Sequence, residues 1–289
     1  NAERYREANM TPAAFAVVLL FSVQQPTPTP TALRIVATAF HQMEDGPAVP
    51  ADHKFVPGET VYFSCKVQGY KPTPEHKVQL GYKVDAMDSD RVLIEPTSSG
   101  IIDTEVGPED KEWSPKVRRA FMIPPHALGG DYKLSVEVKD QVSGQTATAE
   151  AAFHVTGARF APSDALTVRD FHFFRSEEDK NPLPSATYRP GNTLWAKFDI
   201  VGFKTGEKNR VKVEYGIAIL SPSGKQLFAQ PQAAVEEDSP FYPKRHVPGA
   251  LSLNIQPGTP PGDYTLVVLV RDELGSQNQE VRRKFRIEP

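Results

Sequence analysis

The sequence predicts an all-β protein of two tandem antiparallel β-sandwiches, which follow an N-terminal apolar segment and a Pro-rich spacer. Three observations predict this class: an internal repeat, apolar residues at every second position, and turn signals between short apolar runs. The repeat is clearest in "FVPGETVYFSCKVQGYK", which begins at Phe55, and "YRPGNTLWAKFDIVGFK", which begins at Tyr188. Equivalent residues lie 133 positions apart there, and 132 apart where "GDYKLSVEVKD" from Gly130 matches "GDYTLVVLVRD" from Gly262. The chain therefore carries one β module twice.

The totals set limits on the kind of protein. A chain of 289 residues is long enough for two domains, each with its own core. Its 27 Pro residues suit many turns and short strands better than long helices. The formal net charge of -3 gives no electrostatic reason to expect nucleic acid as a partner. The single cysteine, Cys65, excludes an intramolecular disulfide and a multi-cysteine metal site.

Residues 1–25 are predicted to be an export signal. The apolar run "PAAFAVVLLFSV" (Pro12 to Val23) is shorter than the ~20 residues of a membrane span, and Met10 just before it is a candidate start. The alternative is that this run forms an apolar first strand or helix of the fold. Residues 26–32, which include "PTPTPT", are typical of an extended spacer. We therefore expect an exported protein, periplasmic or extracellular, with no membrane span in the mature chain.

Residues 33–155 are predicted to form the first sandwich. Apolar residues alternate here with outward-facing ones such as Tyr62, and the inward set consists of Val61, Phe63, Cys65 and Val67. Such runs predict seven short strands, near 33–40, 60–69, 77–87, 91–95, 117–123, 131–140 and 146–155. Seven short strands with turn signals between them are the pattern of a sandwich.

Residues 166–289 are predicted to form the second sandwich, after a linker at 156–165. The same alternation recurs in Leu194, Ala196, Phe198 and Ile200. The stretches "VSGQ" and "LGSQ" each lie between two predicted strands, as a hairpin turn would. Because the linker is short and contains one Gly and one Pro, we expect a bent but restrained pair of modules.

These residues resemble bacterial exported proteins built from tandem immunoglobulin-like sandwiches, including macroglobulin-like ones. The resemblance is carried by the "GDYxLxVxVxD" segment, the Gly-containing turn after it and the final "F-x-V/I" strand. It covers Leu33 to Ile287 and implies an immunoglobulin-like fold. It implies no activity: the Cys…Trp…Cys core of antibody-type domains is missing, and "CKVQ" at Cys65 lacks the thioester run of some macroglobulins.

No residue pattern predicts catalysis, a cofactor or a metal. The thiol of Cys65 points into the predicted core, where it stays protonated and inert. The carboxylates of "DAMDSD" (Asp85 to Asp90) suggest a Ca²⁺ site as an alternative, but "AILSPS" at the equivalent place has none, which favours a polar turn. The seven histidines are scattered, and no His-Glu-x-x-His run or Gly-x-Ser-x-Gly elbow is present.

Two surfaces are predicted to contact a partner. Tyr62 and Trp195 occupy equivalent outward positions, where an aromatic ring stacks on a sugar or anchors a protein. The alternative is that a loop or the other domain covers them. The second surface is the predicted long loop 229–248, with Phe241 and Tyr242, together with Trp113 at the corresponding place in the first copy.

The sequence therefore predicts a non-catalytic exported module that binds a protein partner or acts as a spacer at the cell envelope. A carbohydrate-binding accessory protein that uses the outward aromatics is the first alternative. A hydrolase or metal-dependent enzyme built on the sandwich loops is the second.

Overall fold

The computed structural model describes residues 32–107, 109–110, 113–161 and 163–289. The predicted export signal, and the predicted spacer apart from its last residue, lie outside the described residues. Sixteen β-strands and one 3₁₀ turn, Glu207–Asn209, make up the regular structure of the part described. Within it, no helix has the length and apolar character needed to cross a membrane.

The first sandwich contains eight strands in two sheets. They are β1 (Arg34–His41), β2 (Lys54–Phe55), β3 (Thr60–Gln68), β4 (Lys77–Met87), β5 (Ser98–Glu105), β6 (Lys116–Met122), β7 (Gly130–Asp140) and β8 (Thr146–Val155). One sheet has the order β1-β3-β6 and the other β2-β8-β7-β4-β5. All pairs are antiparallel except the two-residue pair of β2 with β8.

The second sandwich repeats this topology strand for strand. Its strands are β9 (Thr167–Phe174), β10 (Thr187–Tyr188), β11 (Thr193–Val201), β12 (Val211–Leu220), β13 (Gln226–Asp238), β14 (Val247–Asn254), β15 (Gly262–Asp272) and β16 (Gln277–Ile287). The sheets are β14-β11-β9 and β10-β16-β15-β12-β13. The prediction of two tandem antiparallel sandwiches is confirmed.

Each sandwich has its own apolar core between its two sheets. The period of two places Val61, Phe63, Cys65 and Val67 inside the first, and their counterparts Leu194, Ala196, Phe198 and Ile200 inside the second. Burial raises the pKa of the Cys65 thiol to about 11, so this side chain behaves as a small apolar residue. One member of the first core, Tyr242, comes from the second sandwich.

The repeated motifs are explained by a pair of buried carboxylates. Asp140 ends β7 and Asp272 ends β15, and each accepts a 2.8 Å hydrogen bond from the backbone N–H of the Lys in the Gly-aromatic-Lys motif, Lys71 or Lys204. The other oxygen of each carboxylate accepts a backbone N–H of the following hairpin turn. The two motifs recur together because one side chain ties together two loops at the same end of each sandwich.

Two sequence predictions about strands are wrong. Residues 91–95 form no strand and contribute only the isolated bridge of Leu93 with Met87, whereas the strand lies at Ser98–Glu105. That strand was missed because its Ser and Gly residues resemble a turn. The expected long loop 229–248 is also wrong, because β13 continues to Asp238 and only 239–246 form the loop. Pro231 resembled a loop signal, but it lies in an edge strand, where a missing N–H is tolerated.

Candidate functional site

A cleft of about 770 Å³ lies between the two sandwiches. The first sandwich contributes the turn after β4 and the start of β7, the chain between the sandwiches contributes Arg159 and Phe160, and the second contributes Phe203 and the loop 239–246. Ligand sites occur preferentially at domain interfaces of this kind. The same loop also joins the two sandwiches.

Tyr242 is the centre of the joint. Its side chain is only 2% exposed and packs into the core of the first sandwich. The ring stacks on that of His126 at 5.6 Å, and His126 Nε2 lies 2.8 Å from the Tyr242 carbonyl oxygen, which accepts its hydrogen. The Tyr242 hydroxyl donates to Asp88 Oδ2 at 2.9 Å. A residue of one module thus fills a socket in the other.

Asp88 is the buried anion of this socket. Its Oδ1 accepts the backbone N–H groups of Asp90 and Val92, both at 2.9 Å, which fixes the turn after β4. Its Oδ2 accepts Arg245 Nη2 at 2.8 Å as well as the Tyr242 hydroxyl. Because the carboxylate has hydrogen-bond partners on both oxygens and a cation beside it, its burial is compensated. We call Tyr242, Arg245 and Asp88 the latch.

The loop that carries the latch is also held by its own sandwich. Lys244 donates to Glu236 and lies 2.8 Å from Asp238, both at the end of β13. The Asn209 side-chain amide donates to the carbonyl oxygens of Pro240 and Phe241. The loop therefore has contacts with both sandwiches.

A titratable pair lies beside the latch. His246 packs against Phe160, and its Nε2 is 3.9 Å from Asp199 Oδ1, while its buried Nδ1 has no hydrogen-bond partner among the described residues. Burial lowers the pKa of His246. Burial, with a smaller contribution from Asp170, raises the pKa of Asp199 to about 6.

The latch was missed by sequence reasoning except for Tyr242, whose role was misjudged. The sequence prediction placed Tyr242 on an exposed loop as a partner contact, and this placement is wrong because the ring is buried between the sandwiches. Asp88 and Asp90 were interpreted as a polar turn, and the turn is there. One sequence signal for the latch was available. Asp88 and Asp90 align with Ser221 and Ser223 in the second copy, and such a difference between two otherwise matched turns indicates that one turn has an additional contact.

The other predicted contact residues do not come together in one site. Trp113 is 39% exposed and Phe241 is 52% exposed. Tyr62 is half-buried on the outer face of β3, in a shallow groove with Asp45 and Arg118. Trp195 is half-buried on β11 beside Phe174.

The outer face around Trp195 is partly covered by its own module. The ammonium group of Lys197, two residues along β11, lies over the Phe174 ring at 4.7 Å. It also donates to the carbonyl oxygens of Glu177 and Asp179, so the loop after β9 crosses this face. Tyr62 and Trp195 are both half-buried, and a role for them as partner contacts stays a prediction.

The described residues offer no group of three or more His, Cys, Asp or Glu side chains arranged to hold a metal ion. The carboxylates of the stretch Asp85 to Asp90 contact other side chains of the same protein. Asp85 pairs with Lys83 and Thr97, and Asp90 pairs with Arg245.

No protein-family model matches the chain, and no curated protein sequence matches it. Solved structures similar to it include the C-terminal domain of the Streptococcus pyogenes antigen I/II-family protein AspA, at 10% identity and a TM-score of 0.33, over 90% of this chain and 100% of that one. The C-terminal domain of the Streptococcus agalactiae AgI/II polypeptide BspA has 11% identity and a TM-score of 0.31, over 89% and 100%. Native Escherichia coli alpha-2-macroglobulin has 12% identity and a TM-score of 0.29, over 89% of this chain and 17% of that one. At these scores the likeness carries no argument about function.

Proposed function

We propose that this protein is a non-catalytic interaction or structural module that holds two immunoglobulin-like sandwiches, 33–155 and 166–289, in a fixed relative orientation. It acts at the cell envelope as a spacer or as the binding unit for a protein partner. The 156–165 linker connects the modules, and the latch rather than the linker sets their orientation.

The latch carries this proposal. Tyr242 is buried in the neighbouring core, and its hydroxyl shares Asp88 with the Arg245 guanidinium. Charge-assisted hydrogen bonds of this kind are about twice as strong as neutral ones and are directional. A joint with both apolar and charged contacts resists bending, and fixed spacing is the property that a spacer or a two-module binding surface requires.

The place of action rests on the N-terminal sequence. An export signal at 1–25 followed by a Pro/Thr spacer would deliver the folded body to the periplasm or the cell exterior. The body that follows begins at Leu33, so cleavage of the signal would leave both cores complete.

The orientation is tested by electron-resonance distance measurement between spin labels at Ser99→Cys and Ser252→Cys, both at exposed positions on different sandwiches. Cys65 does not compete for the label, because it is buried. With the labelled protein diluted in excess unlabelled protein, we expect one narrow distance distribution within each copy, which Tyr242→Ala broadens and Phe241→Ala leaves unchanged. A broad distribution in the parent protein would rule out a rigid pair.

The non-catalytic part needs a separate measurement. We expect purified protein to contain no stoichiometric metal and to turn over no substrate in a broad ester and glycoside screen. Turnover that survives repurification and disappears on substitution of a single described residue would replace this proposal with the enzyme alternative.

A further inference from the structure

Strand β13 is the longest strand of the described chain and forms an edge of its sheet. It has 13 residues and pairs only with β12, so one side of its backbone has no strand partner among the described residues. Leu227, Phe228 and Val235 are 55%, 41% and 45% exposed. Edge strands of soluble proteins are usually short or charged, because unpaired backbone groups beside apolar side chains accept another strand.

The sequence of this edge is self-complementary. From Gln226 to Val235 it reads "QLFAQPQAAV" and contains no charged residue. If two copies pair antiparallel about a two-fold axis at Pro231, Leu227 lies opposite Val235 of the second copy and Phe228 opposite Ala234. In the same register Lys225 lies opposite Glu237, whose carboxylate also pairs with Arg210 and Lys212 of its own sandwich.

One of the two backbone irregularities of β13 lies at this axis. Against β12 the strand bulges between Gln230 and Ala234, and Pro231 has no N–H to donate. Both features lie at or beside the axis, where two bulges would meet. The stretches 226–228 and 234–236 lie on either side of this bulge, and the proposed register pairs each with the other. The first of them contains a second register shift, at Leu227, which the other does not have.

We infer that β13 is a self-association edge, which joins two copies of this chain antiparallel about Pro231 into one continuous sheet. Two-fold pairing through one surface is the commonest form of protein self-association, and it closes after two copies. The two five-stranded sheets that contain β13 would become one sheet of ten strands. The inference is independent of the latch, which lies in the loop beyond β13.

The first sandwich provides a matched control. Its equivalent edge strand, β5, has eight residues and carries Asp103 and Glu105. Ile101 on this strand is more exposed than any of the three apolar residues of β13. A charge introduced at Ile101 therefore tests whether a change at any exposed edge residue weakens dimer formation. A charge introduced at Phe228 tests whether β13 itself forms the contact between copies.

The test is sedimentation equilibrium of the full chain. We expect a concentration-dependent dimer, weakened at least ~10-fold by Phe228→Lys and unchanged by Ile101→Lys. At concentrations where all three proteins are monomeric, they should show the same thermal unfolding. All variants retain the same N-terminal segment, so association through that segment would be unaffected by the change at Phe228. A monomer at every concentration, or equal loss with both variants, would overturn the inference.

The register is tested by oxidation. Leu227→Cys/Val235→Cys should form a disulfide-linked dimer, because these positions face each other between copies, and either single variant should remain largely uncrosslinked. Equal crosslinking by the single variants, or none by the double variant, would show that the strands do not pair in this register.

Discussion

The turn after β4 in the first sandwich and the turn after β12 in the second occupy the same place in the repeat but have different neighbours. In the first, Asp88 holds its own turn and receives Tyr242 and Arg245 of the other module. In the second, Ser221 and Ser223 hydrogen-bond to each other. The hairpin turn itself thus requires only a small polar residue, and a buried carboxylate is present where a second module docks. At this turn, the residue that differs between the copies is the one that forms the joint.

The largest effect is expected where the two modules share a core. Tyr242→Ala should lower the free energy of unfolding of the first sandwich by about 3–5 kcal/mol, because it removes a buried aromatic and leaves a cavity. Hydrogen exchange followed by mass spectrometry reports each sandwich separately. The control, Phe241→Ala, removes an exposed ring and should change protection in neither. Loss of protection confined to the second sandwich would contradict the shared core.

A smaller effect is expected from the charge of the latch. Asp88→Asn should lower the free energy of unfolding by about 2–3 kcal/mol. This loss is small for the removal of one partner of a buried ion pair, because the Arg245 side chain is partly exposed. Ser221→Ala at the equivalent turn should cost about 0.5 kcal/mol or less, as surface substitutions do. Urea unfolding of the two variants measures both. Equal losses would mean that Asp88 serves only its turn.

The two copies should respond equally where they match. Asp140→Asn and Asp272→Asn each remove a buried carboxylate that accepts backbone N–H groups from two loops, and each should cost about 1–3 kcal/mol. Hydrogen exchange should show lost protection in the sandwich that carries the change. A large difference between the two losses would show that the equivalence does not extend to energetics.

The smallest effect concerns pH and should occur in the second sandwich alone. Asp170 and Asp199 replace Ala37 and Lys66 at the same strand bulge. Because the pKa of Asp199 is raised to about 6, the folded state holds its proton over a range where the unfolded state, near 3.8, has lost it. The stability contributed by this group is therefore lost as the pH rises from about 4 to 6.

Asp199→Asn removes that titration. It should stabilise the second sandwich by about 1–2 kcal/mol at pH 7, and the gain should disappear near pH 4. Thermal unfolding of parent and variant over this range is the measurement. A gain that is the same at pH 4 and pH 7 would point to packing rather than to ionisation.

The fold was predictable because it depends on local regularities. Alternation in residues 60–67 identified the inward set, and the repeat showed that two modules are present. Strand β5 was not predictable by the same means, because Ser98, Ser99 and Gly100 have no apolar pattern and pair through their backbones. Strand β13 was not predicted for a related reason: residues 226–232 are exposed on both faces of this edge strand, so they have no buried side whose residues could alternate.

The joint was beyond reach because it depends on a contact between distant residues. Nothing near Asp88 indicates that Tyr242 and Arg245, in the other module, will bind it. The aromatic and basic residues of the loop 239–246 were recognisable as unusual. The sequence could not show whether they are exposed or buried, because the surface that covers Tyr242 belongs to the first sandwich, far away in the chain. Only the unmatched carboxylates of the first copy gave an indirect sign.

The origin of Tyr242 has a consequence for biosynthesis. A ribosome completes all eight strands of the first sandwich well before it reaches Tyr242. The nascent first sandwich therefore lacks one residue of its core, and Asp88 lacks the Arg245 guanidinium beside it. That domain is finished only when the C-terminal half has been made and has docked. A truncated polypeptide that ends in the linker would therefore expose an apolar hole, which marks it as incomplete to proteases and chaperones.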